Sequence, residues 1–198
     1  MFIVRDWLVF RKACSRGAGD VMVQPPAEDG AEWYPEIVTL ESMQALFGED
    51  VACRARFERL AKAGGVGAVI RSKEKWLAYG WVSFGAKAAP SHLPVSLVRR
   101  AGFWIHTCHT REECRGRGLY KRLLAFIVDN ALVPHGRSQH VYIDTAPGNL
   151  PARRAIRAAG FVEAGRLRVL YLRLPRVRHP LFSWWFTSEG HPLLDGQH

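Results

Sequence analysis

The segment Arg115-Gly116-Arg117-Gly118-Leu119-Tyr120 restricts this chain more than any other. An apolar run, Phe103-Trp104-Ile105-His106-Thr107-Cys108, precedes it, and Lys121 to Ala131 follows with a helical pattern. Strand, glycine-rich loop and helix in that order build an anion site. Glycines let backbone N–H groups approach a phosphate closely, and a helix N-terminus adds roughly half a positive charge. Arg115, Arg117, Lys121 and Arg122 add full charges. Spacing then decides between nucleotide motifs. The chain contains no G-x-x-x-x-G-K-[ST], and its G-x-G lacks the third glycine of a dinucleotide fingerprint.

What remains is R-x-x-G-x-[GA]. A second block lies downstream. Val141-Tyr142-Ile143-Asp144-Thr145 reads as a buried strand. Asn149 comes next, then Ala152, Ala155, Ile156 and Ala159 at helical spacing, then Gly160-Phe161. The two blocks together resemble the GNAT acyltransferase superfamily, over about residues 60 to 174. The match to the first block departs at Tyr120, where Gly or Ala is usual.

The resemblance implies an α/β fold: a mixed sheet, flanked by helices, that splays between its two central strands with coenzyme A wedged into the splay. It implies acetyl-CoA or a related short acyl-CoA as donor and a primary amine as acceptor, reacting by direct attack in a ternary complex. The pyrophosphate would lie on the N–H groups of Arg115, Gly116, Arg117, Gly118, Leu119 and Tyr120. Thr110 and Asn149 would meet the pantetheine from opposite sides. The N–H of Cys108 would face the thioester oxygen. A base is also needed, because an alkyl ammonium with a pKa near ~10 is mostly charged at pH 7. His106 is the first candidate and Asp144 the second. Strand alternation puts His106 on one face with Trp104 and Cys108, and His109 on the other. Many family members place a Tyr seven residues after the Asn as acid for the thiolate. Ile156 stands there, leaving Tyr142, Tyr120 or water for that step.

Composition sets the outer bounds. A chain of 198 residues with 48% hydrophobic content can bury a sizeable core. No apolar run reaches the ~18 residues of a membrane span, and the N-terminal run is interrupted by Arg5 and Asp6, so a cytoplasmic protein is expected. Cys14, Cys53, Cys108 and Cys114 form no C-x-x-C pair, which predicts free thiols and no metal site. The net charge of +10 is uneven: residues 101 to 198 hold 14 basic and 7 acidic side chains, against 14 and 11 before them. An anionic ligand accounts for that bias, and no nucleic-acid motif is present. Arg99, Arg100 and Arg137 would suit an anionic acceptor such as an amino sugar or nucleotide sugar. A peptide N-terminus or another small amine fits equally.

Along the chain, the pattern predicts a strand at Phe2 to Phe10 and a loop from Ser15 to Glu36. Helices start at Thr39 and Asp50, the second burying Val51, Ala55, Phe57 and Leu60. A hairpin joins Val66–Arg71 to Trp76–Phe84, followed by a loop from Ala86 to Gly102. One or two last strands lie around Gly165. Residues 1–174 are expected to form one domain, with 175–198 as an aromatic-rich extension carrying Phe182, Trp184, Trp185 and Phe186. That extension would pack on its own domain or on a sister subunit in a homodimer, with membrane contact or a substrate lid as the alternative readings.

Overall fold

Runs rich in Val, Ile, Trp and Phe become strands of a single sheet, and the segments between them supply the helices that cover it. A computed structural model describes residues 2–14, 33–48, 50–73, 75–84, 88–131, 140–174 and 177–187. Most of the Ser15–Glu36 loop, Arg137 and the connector at Pro134-His135-Gly136 lie outside these residues. In chain order the elements are β1 (Phe2–Ala13), β2 (Tyr34–Val38), α1 (Leu40–Phe47), α2 (Val51–Lys62), β3 (Val66–Arg71) and β4 (Trp76–Phe84). There follow α3 (Val95–Ala101), β5 (Phe103–Thr110), α4 (Leu119–Phe126), β6 (His140–Thr145), α5 (Leu150–Ala158), β7 (Val162–Leu174) and β8 (Val177–Thr187). The eight strands run β2-β3-β4-β5-β6-β1-β7-β8.

Among the described residues only β5 and β6 pair in parallel, and they pair briefly. The register joins Phe103, Trp104 and Ile105 to Val141, Tyr142 and Ile143 and goes no further. Beyond Ile105 and Ile143 the strands part, which is the expected splay. The mixed sheet flanked by helices is likewise as expected.

The sheet buries both faces. On one, Leu119, Leu123 and Leu124 of α4 and Ile156 of α5 pack over Ile70, Ala78, Val82 and Ile105. On the other, Met43, Phe47 and Phe57 of the first two helices pack over Val69, Tyr79 and Trp81, while Leu97, Val98 and Ala101 of α3 pack over Trp104, Tyr142 and Val9. Helices α1 and α2 start where side chains can accept their first N–H groups. Thr39 and Ser42 form a reciprocal capping box at α1, and Asp50 accepts from the Cys53 N–H at 2.9 Å.

Several local expectations change. Helix α2 buries Phe57 with Cys53, Leu60 and Ala61 behind it, while Val51 and Ala55 face solvent. Its inward face follows a spacing of three to four residues from Phe57, which excludes both. The end of the expected N-terminal loop is β2, paired with β3 from Tyr34↔Arg71 to Val38↔Gly67. The expected loop before β5 contains α3. Strand β7 is one continuous element, and the domain boundary expected at 174 falls inside a β-hairpin, since β8 pairs with β7 from Leu174↔Val177 to Gly165↔Thr187.

Candidate functional site

The splay opens a cleft of about 1090 Å³ lined by both parted strands, the 115–121 loop and the start of α5. It runs through the sheet. Cys108 and Tyr120 line it on the α4 face, and Trp7, His92 and His106 line it on the α3 face.

The glycine loop forms as its sequence demands. A 3₁₀ turn at Glu112–Cys114 leads into Gly116 at φ 80° and Gly118 at φ 73°, a conformation that costs other residues energy. Gly118 is the N-cap of α4 and offers no side chain to the helix, so its first N–H groups receive no side-chain cap. The Arg115 side chain turns instead to Glu112, with Nη1 2.9 Å from Oε1, on the exposed surface. The loop therefore leaves main-chain N–H groups at the start of α4 without a side-chain partner.

The lip of the splay carries a β-bulge. The β4–β5 register passes from Trp81↔His106 to Tyr79↔His109, so Thr107 and Cys108 together oppose Gly80. Thr107 sits at φ 54°, the one non-glycine residue with positive φ among the described residues, and its Oγ1 accepts from Arg56 Nη2 at 3.2 Å. A β-branched residue there is strained by roughly 1–3 kcal/mol, a feature that concentrates at functional sites. The bulge also shifts the face parity. Cys108 emerges toward Leu123 and Ile127, since its Sγ is 3.0 Å from where a Gly80 Cβ would stand. His109 stacks on Tyr79, with ring centroids 5.7 Å apart, on the face that holds His106. Simple alternation had the two reversed, because it has no place for an inserted residue.

The polar residues of the lip have distinct environments. His106 is buried; its Nδ1 lies 2.8 Å from Thr107 Oγ1 and its Nε2 has no hydrogen-bond partner. Burial, then the charge of His92, lowers its pKa to about 4. Asp144 neither faces solvent nor caps the turn before Asn149. Its Oδ1 accepts from the Trp104 indole N–H at 2.7 Å, and its Oδ2 meets His92 Nε2 at 2.8 Å. Burial alone would lower the His92 pKa, but the charge and hydrogen bond of Asp144 outweigh it and raise the value. The Cys108 thiol is pushed up to about 12, first by burial and with the Tyr120 hydroxyl working against it, so it stays a thiol. Burial and that thiol hold Tyr120 well above the usual phenol range.

Thr110, Cys108, His106, Asp144 and the loop residues Arg115, Gly116, Gly118, Leu119 and Tyr120 all line the cleft. Asn149 does too, while its side chain caps α5 by accepting from the Ala152 N–H at 3.3 Å. Tyr142 does not: it is buried on the α3 face, stacked on Trp104 at 5.6 Å, because its register partner in β5 is that tryptophan. Ile156 is fully enclosed in the core, while Ala152, Ala155 and Ala158 of α5 turn to the cleft. His92 was not evident from the sequence. It stands 52 residues before Asp144 between prolines, with no periodic or motif signal.

No helix among the described residues is long and apolar enough to cross a membrane. The sequence profile of the Acetyltransferase (GNAT) family matches residues 34–161. No curated protein sequence shows significant similarity. Among solved structures, an acetyltransferase from the GNAT family from Colwellia psychrerythraea has a TM-score of 0.53 at 17% identity, covering 86% of this chain and 56% of that one. A tandem GNAT protein from the clavulanic acid biosynthesis pathway, solved without AcCoA, gives 0.52 at 16% identity, covering 84% and 52%. A Drosophila protein gives 0.53 at 9% identity, covering 86% and 51%. These likenesses are of fold, and the chain spans about half the length of the three solved chains. The profile covers well over half of the sequence and takes in the glycine loop, the bulge and the splay, so the chain belongs to the GNAT acetyltransferase family.

Proposed function

We propose that this protein is an acyl-CoA-dependent N-acyltransferase that moves an acetyl or short acyl group to a primary amine. One observation carries the reading: an interrupted β4–β5 ladder at Thr107-Cys108 stands at the mouth of the splay, with an uncapped helix N-terminus beyond it. A phosphate-bearing thioester fits that arrangement. N–H groups of the 115–120 loop hold the pyrophosphate, and fixed main-chain donors at the bulge polarise the thioester carbonyl. Tyr120, which keeps its proton and stands beside Cys108, donates to the departing thiolate. Attack by the neutral amine forms the C–N bond and breaks the C–S bond in a single ternary complex, with no acyl-enzyme. The raised Cys108 pKa argues against a cysteine nucleophile.

The acceptor reading is broader. The exposed Arg154 and Lys121 stand beside the glycine loop and suit the phosphates of the donor, while an amino-sugar phosphate, a nucleotide sugar, a peptide N-terminus or another small amine fits equally as acceptor. A thermal-shift titration with acetyl-CoA, against ATP, tests the donor. Ligand at a hundredfold excess over its dissociation constant stabilises by about 2.7 kcal/mol. A shift with acetyl-CoA and none with ATP is expected, and no shift with either would end the proposal. A second reading, a coenzyme A-binding module without turnover, draws on the core position of Ile156 and on the low His106 pKa. Binding without thiol release across benzylamine, glucosamine 6-phosphate and a free-amine tripeptide would favour it.

A further inference from the structure

Resting on the N-acyl transfer proposed above, we propose that His92, oriented by Asp144, is the base that takes the proton from the acceptor amine. The side chains that hold His92 come from four strands. Asp144 of β6 binds its Nε2, and Trp104 of β5 fixes the second oxygen of that carboxylate. Tyr171 of β7 donates its O–H to the His92 carbonyl at 2.6 Å and accepts from the Trp7 indole N–H of β1 at 2.9 Å. The Trp7 ring lies against the imidazole with centroids 4.7 Å apart. A histidine held at its ring by half-buried Trp7 and at its backbone by buried Tyr171 is preorganised well beyond what a loop turn requires.

The chemistry follows from the tautomer. A carboxylate only accepts, so Nε2 carries the hydrogen toward Asp144 and Nδ1 is left with the lone pair. The side chain is 33% exposed, so the ring can pass its proton to water. The location fits as well. Cys108 and Tyr120 occupy the α4 side of the cleft, next to the glycine loop, whereas His92 lines the α3 side, where a nucleophile can approach the bulge from the opposite face. In the step, His92 Nδ1 takes a proton from the ammonium and passes it to water; the neutral nitrogen bonds to the thioester carbon, the C–S electron pair leaves on sulfur, and the remaining N–H proton, shed as the amide forms, replaces the one that Tyr120 gives the thiolate.

His106 is less suited, because Thr107 holds its Nδ1 and burial disfavours its cation. The titratable and charged groups around His92 are Asp144 from β6 and His106 from β5, with Arg56 of α2 behind Thr107 and the Tyr171 hydroxyl at the His92 backbone.

The test compares two nucleophiles on the full chain. Benzylamine is mostly an ammonium at pH 7 and needs a base, whereas hydroxylamine is largely neutral there and does not. Wild type, His92→Gln and Asp144→Asn are first checked for an acetyl-CoA thermal shift, then assayed for thiol release. In His92→Gln, benzylamine kcat is expected to fall roughly a hundredfold, with a loss for hydroxylamine at least ten times smaller. In Asp144→Asn the acid limb of the benzylamine rate profile moves to lower pH, since Asp144 raises the His92 pKa. Added imidazole restores part of the benzylamine rate in His92→Ala. Equal losses for both nucleophiles, no loss in His92→Gln, or a wild type that binds acetyl-CoA and acylates neither nucleophile would overturn the assignment. A wild type without the acetyl-CoA shift would instead sink the acyl-transfer reading, and this role with it.

Discussion

Gly118 has no atom within 4 Å of where a Cβ would stand, so a side chain there meets no clash, only the cost of φ 73°. Gly118→Ala is expected to lose about 1–2 kcal/mol in urea denaturation and most of the acetyl-CoA thermal shift, because the loop leaves its N–H array to relax. Ile156 is enclosed on all sides. Ile156→Tyr is therefore expected to lower stability by about 1–3 kcal/mol through overpacking, without supplying an acid to the cleft. His106 gives a sign that can be checked. Its folded pKa, about 4, lies below the ordinary 6.5, so the unfolded chain binds the proton first as pH falls. Stability is full above 6.5 and declines toward 4, by about 3 kcal/mol across that window. His106→Gln should flatten the decline, measured as denaturation midpoints from pH 7 to pH 4, and an unchanged slope would place the titration elsewhere.

At the scale of elements, legibility followed the range of the interactions. The hairpin β3–β4, the glycine loop and the caps at Thr39 and Asp50 are written in a few adjacent residues and were readable. Strand β2 and helix α3 are short, the one containing Pro35 and the other following Pro94, so local propensity argued against them and pairing or packing decided. The bulge at Thr107-Cys108 could not be read, since an extra residue in one strand shows only against the partner strand. It explains why Cys108 and His109 exchanged faces. His92 meets Asp144 across 52 residues with no local trace. The partner strand carries the complementary feature. A Cβ on Gly80 would stand 3.0 Å from Cys108 Sγ and 3.2 Å from Ile127 Cδ1. Gly80→Ala is expected to push the bulge from α4, costing about 1–3 kcal/mol in urea and weakening acetyl-CoA binding more than the loss of stability alone predicts. Normal acetyl-CoA affinity in that variant would separate the bulge from donor binding.

At the scale of the molecule, the sheet depends on its first strand. β1 pairs with β6 from Leu8↔Thr145 to Ala13↔His140 and with β7 from Phe2↔Leu172 to Arg11↔Val162, so it joins the splayed half to the β7–β8 hairpin. The strand itself was foreseen. Its place between β6 and β7 was not, because a partner more than a hundred residues away leaves no periodic signal. Its contribution is also chemical, since Trp7 is the β1 residue that steadies Tyr171 and His92. Within it, Val9 and Phe10 are fully buried on opposite faces, Val9 with the α3 cluster and Phe10 with the α4–α5 cluster. Phe10→Ala removes a buried ring from the second and is expected to cost about 3–5 kcal/mol. Trp7→Phe keeps an aromatic ring but removes the indole N–H and its five-membered ring, and should cost about 1 kcal/mol or more while loosening His92. If β1 unites the two halves, both variants shift the urea midpoint of a single transition. Two separate transitions in Phe10→Ala, one for the β7–β8 end and one for the rest, would show instead that β1 is an independent lid on a sheet that folds without it.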